Sequence, residues 1–101
     1  MAQYQLSILT PEGQAYHGPA EETVAPGMLG IFGVQAKHAA MMAQLKKGIL
    51  RLKLNQQERY FAVGDGIFEV DPKSNAVALV DWAVECTNLQ QAKDKVFEKS
   101  K

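Results

Sequence analysis

Apolar and polar positions alternate with a period of two along most of this chain, and only its last stretch changes to a helical period. Tyr4, Leu6 and Ile8 alternate with Gln3, Gln5 and Ser7, the pattern of a half-buried strand, and Thr10-Pro11-Glu12-Gly13 stops it with turn residues. A second extended segment, Gln14 to Ala25, contains Pro19, which lacks a backbone donor and suits an edge strand or a bulge. A change of chain direction is expected near Gly18-Pro19. Leu50, Leu52 and Leu54 alternate with Arg51 and Lys53, and Asn55-Gln56-Gln57 leads into Glu58 to Val63, which predicts an antiparallel hairpin. Gly64-Asp65-Gly66 then precedes Ile67-Phe68-Glu69-Val70. The turn Asp71-Pro72-Lys73-Ser74-Asn75 precedes an apolar run, Ala76 to Asp81, short enough to be a buried strand. Met41, Met42 and Leu45 fit either one helical turn or a short extended piece.

Seven or more short strands with turn signals about every ten residues, and no helical pattern between them, predict a mainly β protein: an antiparallel sandwich or barrel, not a parallel α/β arrangement. The character changes at Thr87-Asn88. Thr87 and Gln90 have capping-box spacing, Leu89, Ala92 and Val96 share one face, and Lys93, Lys95 and Lys99 weight the later turns as the helix dipole favours. The chain thus divides into a β-sandwich domain, residues 1–87, and one short C-terminal helix, residues 88–101. A helix of roughly 13 residues is marginal alone, so it must dock on the sandwich, on a partner or on a second helix.

At 101 residues the chain is expected to form one domain with one modest core. Cys86 is its only cysteine, which leaves no intrachain disulfide or cysteine metal cluster and points to a reducing compartment; it reads as a small buried hydrophobe. Formal net charge is zero, but three acidic and no basic residues precede Lys37 while eleven basic and eight acidic residues follow from it onward. Solvated faces of a folded module account for that asymmetry, which could also orient the domain between unlike partners. Met1-Ala2-Gln3-Tyr4-Gln5 lacks the basic and apolar regions of a signal peptide, and no apolar run approaches the roughly 20 residues that cross a bilayer. Membrane association is therefore expected only through another protein.

Between Val24 and His38 lie three evenly spaced glycines, Gly27, Gly30 and Gly33, among Met28, Leu29, Ile31, Phe32 and Val34. A phosphate-binding loop would place its glycines between a strand and a helix N-terminus with a Lys-Ser/Thr pair, which is missing here. The stretch reads instead as a backbone that turns tightly at Pro26-Gly27, passes close to another surface at Gly30 and Gly33, and exposes apolar residues. No motif for a cofactor or a metal accompanies it. Pairing His17 or His38 with Ser7, Ser74, Ser100 or Cys86 would be needed for hydrolysis, and no nucleophile elbow is present. Asp65 with Asp71, or Glu21 with Glu22, read as solvated turn and strand carboxylates before they read as metal ligands.

A second function class rests on Lys46, Lys47, Arg51, Lys53 and Arg59 near Tyr60 and Phe61, which could make a small β-barrel that binds nucleic acid. Zero net charge and the alternation of Arg51 and Lys53 with buried leucines weigh against it. A general protein-interaction module is the third possibility.

Five segments in order, Leu6-Ser7-Ile8-Leu9-Thr10-Pro11-Glu12-Gly13, Gly27-x-x-Gly30-x-Phe32-Gly33-Val34, His38-Ala39, Lys47-Gly48-Ile49-Leu50-Arg51-Leu52 and Ile67-Phe68-Glu69-Val70, resemble the epsilon subunit of rotary (F-type) ATP synthases. The resemblance covers Tyr4 to about Glu85. It implies a flattened β-sandwich of about ten strands and a non-catalytic rotor subunit of the central stalk. Such a subunit grips gamma with one face, rests its end on the loops of the c-ring, and couples proton- or sodium-driven rotation to ATP synthesis. It also implies peripheral attachment to the cytoplasmic face of the inner membrane. Carried over by position, residues 27–38 face the ring and the base of gamma, with Met28, Leu29, Ile31, Phe32 and His38 as contact residues.

The sequence departs from the family pattern in places. Ala36-Lys37-His38-Ala39-Ala40-Met41 stands where Pro-Gly-His-Ala-Pro-Leu is usual, Ile31 replaces an acidic or polar residue, and Trp82 replaces a small polar one. Some longer members bind ATP through Ile/Leu-Asp-x-x-Arg-Ala on a two-helix C-terminal hairpin. Here the matching positions read Leu89-Gln90-Gln91-Ala92-Lys93-Asp94, without the Asp and Arg, and the resemblance is to a short form lacking the full hairpin.

Overall fold

The computed structural model describes residues 2–99. Ten strands and one helix follow one another: β1 (Tyr4–Thr10), β2 (Gly13–Ala20), β3 (Glu22–Gly27), β4 (Gly30–Gln35), β5 (Met41–Leu45), β6 (Gly48–Leu54), β7 (Gln57–Val63), β8 (Gly66–Val70), β9 (Ala76–Val80), β10 (Ala83–Cys86) and α1 (Leu89–Lys99). Hydrogen bonding runs continuously in the order β10-β7-β6-β3-β5-β8-β9-β1-β2, with β4 on β3. The sheet folds over at β3: Glu22 to Val24 pair with β6, whereas Gly27 pairs with Leu45 of β5. Two five-stranded layers result, β4-β3-β6-β7-β10 and β5-β8-β9-β1-β2, and the mainly β sandwich expected from the alternation is what forms.

The inward positions of both layers make one core. Leu6, Ile8, Leu50, Leu52, Phe61 and Phe68 are fully buried in it. Phe32 of the first layer meets Phe68 of the second edge-to-face, with centroids 5.5 Å apart. Tyr4 crosses the same gap: its hydroxyl lies 2.5 Å from Thr23 Oγ1 and donates to the Val34 carbonyl at 3.2 Å. Burial of this phenol disfavours its anion and pushes the Tyr4 pKa up to about 12.

Several expectations change in the folded chain. The pairing is not wholly antiparallel, because Leu6 to Leu9 lie parallel to Ala76 to Leu79; local periodicity carries no information about a contact between the first strand and the ninth. Pro19 sits in β2, at an edge of the sheet order, as its missing donor requires. The chain nevertheless continues extended through Gly18-Pro19 and bends only at Glu21. Residues 41–45 take the extended alternative. The β6–β7 turn uses Asn55 and Gln56, both at positive φ, as a two-residue hairpin requires. Glu21, only 7% exposed, accepts the Asn55 N–H at 3.0 Å and so braces this turn.

The helix caps one residue later than the capping-box spacing implied. Asn88 Oδ1 accepts the Gln91 N–H at 2.8 Å, and Gln91 Oε1 accepts the Thr87 N–H at 2.5 Å. Thr87 follows directly on β10, so Asn88 is the first residue free to turn. Of the three docking alternatives the helix takes the sandwich: Ala92 is fully buried against Ala62 and Cys86, with Ile49, Tyr60, Val84 and Val96 around them. Trp82 joins this cluster beside Gly64, where a Cβ would approach the indole Nε1 to 2.6 Å, and Lys99 Nζ stands 5.4 Å from the ring centroid.

Candidate functional site

The glycine stretch folds as a β-hairpin. β3 and β4 pair from Glu22–Gln35 to Gly27–Gly30, and Met28-Leu29 form the two-residue turn at its tip. A Cβ on Gly27 would come within 2.5 Å of the Gly30 carbonyl oxygen, and Gly30 has φ +139°, so the turn dictates both. The close approach expected at Gly30 and Gly33 occurs instead at Gly27: a Cβ at Gly33 would meet nothing nearer than the Thr23 carbonyl at 3.9 Å. Gly33 faces the surface, where a side chain has room. Two backbone bonds tie the hairpin to the second layer, from Met28 N–H to Gln44 O at 2.8 Å and from Lys46 N–H to Pro26 O at 2.9 Å.

The five residues marked as contacts occupy four different environments. Leu29 is fully exposed at the tip beside the half-exposed Met28. Ile31, 78% exposed, points outward from the first layer. Phe32 points the other way, half-buried on the core against Phe68. His38 lies beyond the far end of β4, roughly 17 Å of strand from the tip at about 3.4 Å per residue. There its Nδ1 donates to the Ala39 carbonyl at 2.7 Å, its N–H to Gln35 O at 3.3 Å, and its own carbonyl accepts Ser74 Oγ at 2.8 Å. Met28 and Leu29 are thus brought together, whereas Phe32 and His38 are held apart from them.

Sequence patterning missed a larger surface. On the outside of the second layer, Ile67, Leu79 and Leu9 fall in one row across β8, β9 and β1, and Met42, Glu69, Val77 and Ser7 in the next. Cross-strand neighbours in such rows stand about 5 Å apart. Met42 is 67% exposed and Leu79 50%, so the apolar stripe is open to solvent. The run from Ala76 to Asp81 is therefore buried on one side only; apolar residues on both sides looked like a covered strand. Met42 also lines a hollow of about 330 Å³ with Met28, Leu29 and Phe32, which joins the stripe to the hairpin tip.

Other candidate chemistry is taken up locally. A 2.8 Å hydrogen bond joins Ser7 Oγ and His17 Nδ1 on this same face. Glu69 lines the same shallow hollow but lies three strands from β2, roughly 14 Å at about 4.8 Å per strand, too far to orient that imidazole. Among the described residues no group of three or more His, Cys, Asp or Glu could hold a metal ion. The basic cluster disperses: Phe61 faces the core, Arg51 lies 4.0 Å from Glu58, and the Tyr60 hydroxyl donates to Glu58 Oε2 at 2.9 Å. Arg59 is held by both oxygens of Glu85, at 2.7 and 2.8 Å, and lies 4.9 Å from the Tyr16 ring centroid. That hydrogen bonding holds the Glu85 carboxyl below its usual range. No stacking platform for bases is left on this strand.

An apolar hairpin tip beside a partly apolar sheet face is the kind of exposed surface that marks interaction sites on β-sandwich domains. The β-sandwich domain of the ATP synthase delta/epsilon chain matches residues 3–85, and the chain belongs to that family. It is 35% identical over 91 residues to the ATP synthase epsilon chain of Nitrosomonas eutropha, covering 89% of this chain and 64% of that one. The epsilon chain of Helicobacter pylori strain G27 is 31% identical over 101 residues, covering all of this chain and 81% of the relative. The fold also superposes on a chain of the Euglena gracilis mitochondrial ATP synthase with a TM-score of 0.80 at 19% identity, covering 99% of this chain and 64% of that one. For the central stalk/c-ring structure of the Tetrahymena thermophila enzyme the TM-score is 0.70 at 14% identity, covering 98% and 90%. This chain thus spans about two thirds of the Nitrosomonas relative. Among its described residues no helix is long and apolar enough to cross a membrane.

Proposed function

We propose that this chain is a non-catalytic rotor subunit of an ion-translocating ATP synthase, linking the c-ring to the gamma subunit so that rotation of one turns the other. The observation that carries this reading is the set of exposed apolar side chains from Met28 and Leu29 at the hairpin tip, past Met42, to Ile67 and Leu79 on the open sheet face. Family membership supplies the kind of assembly. A flat, apolar sheet face suits a long-lived contact with a stalk subunit, and gamma is its partner in this reading. The narrow tip suits the ring. Torque requires a stiff connection between the two, and the hairpin is stiffened by Phe32 on Phe68 and by its two backbone bonds to the second layer. Phe32 therefore positions the tip in place of touching the ring, and His38, beyond the far end of β4, faces gamma in this reading. The sandwich, residues 1–87, carries the role and the helical segment braces it. Membrane attachment is peripheral, through the ring, on the cytoplasmic face.

The test is co-purification of the chain with gamma and a c-ring, followed by crosslinking from cysteines placed at Leu29 and Leu79. Leu29→Cys should crosslink to the ring and Leu79→Cys to gamma. Crosslinks from neither position, in a complex that still assembles, would overturn the assignment of this surface.

A further inference from the structure

Exposed sulfur on this chain gathers at one corner. Among the described residues the sulfur-bearing side chains are Met28, Met41, Met42 and Cys86. Cys86 is buried with Ala62 and Ala92 of α1, and Met41 packs on the core of the sandwich. Met28 and Met42 stay open, 45% and 67% exposed. They are also close to each other. The Met28 N–H donates to Gln44 O at 2.8 Å, and Met42, two residues before Gln44 on β5, projects from the same face of that strand. Both methionines line the hollow of about 330 Å³ beside Phe32. Met41 and Met42 are neighbours in sequence with identical chemistry, and the step of one residue along β5 sends one toward the core and the other to solvent.

A thioether open to solvent reacts with peroxide, and a covered one is protected. The sulfur attacks one peroxide oxygen: an S–O bond forms, the O–O bond breaks, and the sulfur gives up two electrons. The displaced hydroxide takes the remaining peroxide proton and leaves as water. The sulfoxide left behind is polar and accepts hydrogen bonds, where the thioether was apolar. We propose that Met28 and Met42 form a paired oxidation site, at which hydrogen peroxide makes the apolar corner between the hairpin tip and the open sheet face polar and so blocks docking on it. The consequence for docking rests on the rotor reading above; the oxidation site itself does not.

The test treats the full chain with hydrogen peroxide and follows the oxygen gained at each residue by peptide mass spectrometry. Met28 and Met42 should oxidise several-fold faster than Met41 in the folded chain, and all three at similar rates once urea unfolds it. Retention of the oxidised chain on a phenyl column should fall and then recover after treatment with methionine sulfoxide reductases for both epimers. In a Met28→Leu, Met42→Leu variant, which keeps the apolar volume, peroxide should shift retention several-fold less. Capture of gamma should drop ~10-fold or more on oxidation and return with the reductases, whereas the double variant should capture it before and after peroxide. Equal rates at Met41 and Met42 in the folded chain, or unchanged retention once both sites carry oxygen, would overturn the oxidation site. Undiminished capture of gamma would overturn its effect on docking. A chain that captures no gamma before peroxide is added counts against the rotor reading and removes the docking consequence with it, while oxygen mapping and retention still decide the site.

Discussion

The two outer faces of this sandwich are written in the same period-two code and end in opposite states. Outside the first layer, Ala62 and Cys86 are buried because Ala92 of α1 lies on them. Outside the second layer, Ile67, Leu79 and Met42 occupy equivalent outward positions and nothing covers them. The difference teaches that an apolar outward position is not itself a sign of interface or of core. What decides is whether the chain supplies its own cover. Here α1 covers one face, and the other stays open among the described residues; in the function proposed above it is the seat of a stalk partner.

Placing the same charge on both faces is the most direct way to break this comparison. Ala62→Glu would drive a carboxylate under α1, and urea unfolding should register a loss of about 3–4 kcal/mol, since an unpaired charge there must either stay desolvated or expel the helix. A loss below about 1 kcal/mol would mean that the helix does not hold its face. Next in size is the phenol that spans the two layers. Tyr4 has a folded pKa of about 12 against an ordinary value of 10. Below pH 10 both states keep the proton and its contribution is constant. Between pH 10 and 12 the unfolded chain ionises first, so stability falls with rising pH, by about 2–3 kcal/mol at 1.4 kcal/mol per unit. Tyr4→Phe should flatten that part of the pH–stability curve; an unchanged slope would refute the assignment.

A smaller effect is expected from the two hairpin residues that face opposite ways. Phe32→Ala should cost about 2 kcal/mol because it empties the contact on Phe68, whereas Leu29→Ala should stay within about 0.5 kcal/mol. Equal losses would return Phe32 to the surface. Smaller again is the Arg59–Glu85 pair at the edge. The lowered Glu85 pKa means that its contribution is present above the ordinary carboxylate pKa and is lost as pH falls through the folded value. Both side chains are more than 40% exposed, so the pair is worth at most ~1 kcal/mol, and Glu85→Gln should remove that acid-side dependence. Leu79→Glu closes the series: stability should stay within about 0.5 kcal/mol, and on the proposed reading co-purification with gamma should be lost.

Much of the fold was legible from local chemistry. The strands beginning at Tyr4, Gly48 and Gly66, the edge placement of Pro19 and the closing helix all follow from alternation, missing donors and a change of period. The candidate contact residues were legible only by kind: bulky apolar side chains among glycines marked the hairpin, yet one-residue steps set Ile31 and Phe32 on opposite sides of β4. His38 came from the family resemblance carried over by position, and a whole strand separates it from the tip. The apolar stripe on the second layer left a signal, namely Ile67 and Leu79 at positions where a half-exposed strand usually carries polar residues. Recognising it required knowing that β8, β9 and β1 are neighbours.

By itself the sequence determined the class of fold, the β6–β7 turn and the closing helix, because each depends on residues a few positions apart; the tight turn read at Pro26-Gly27 falls instead at Met28-Leu29, because both earlier residues pair within the β3–β4 ladder. Tertiary structure alone decided the parallel partnership of β1 with β9, the fold-over at β3, and which of two apolar outer faces α1 would cover. Those depend on residues brought together from distant parts of the chain, where the free energy of contact belongs to the assembled pair and to neither segment separately.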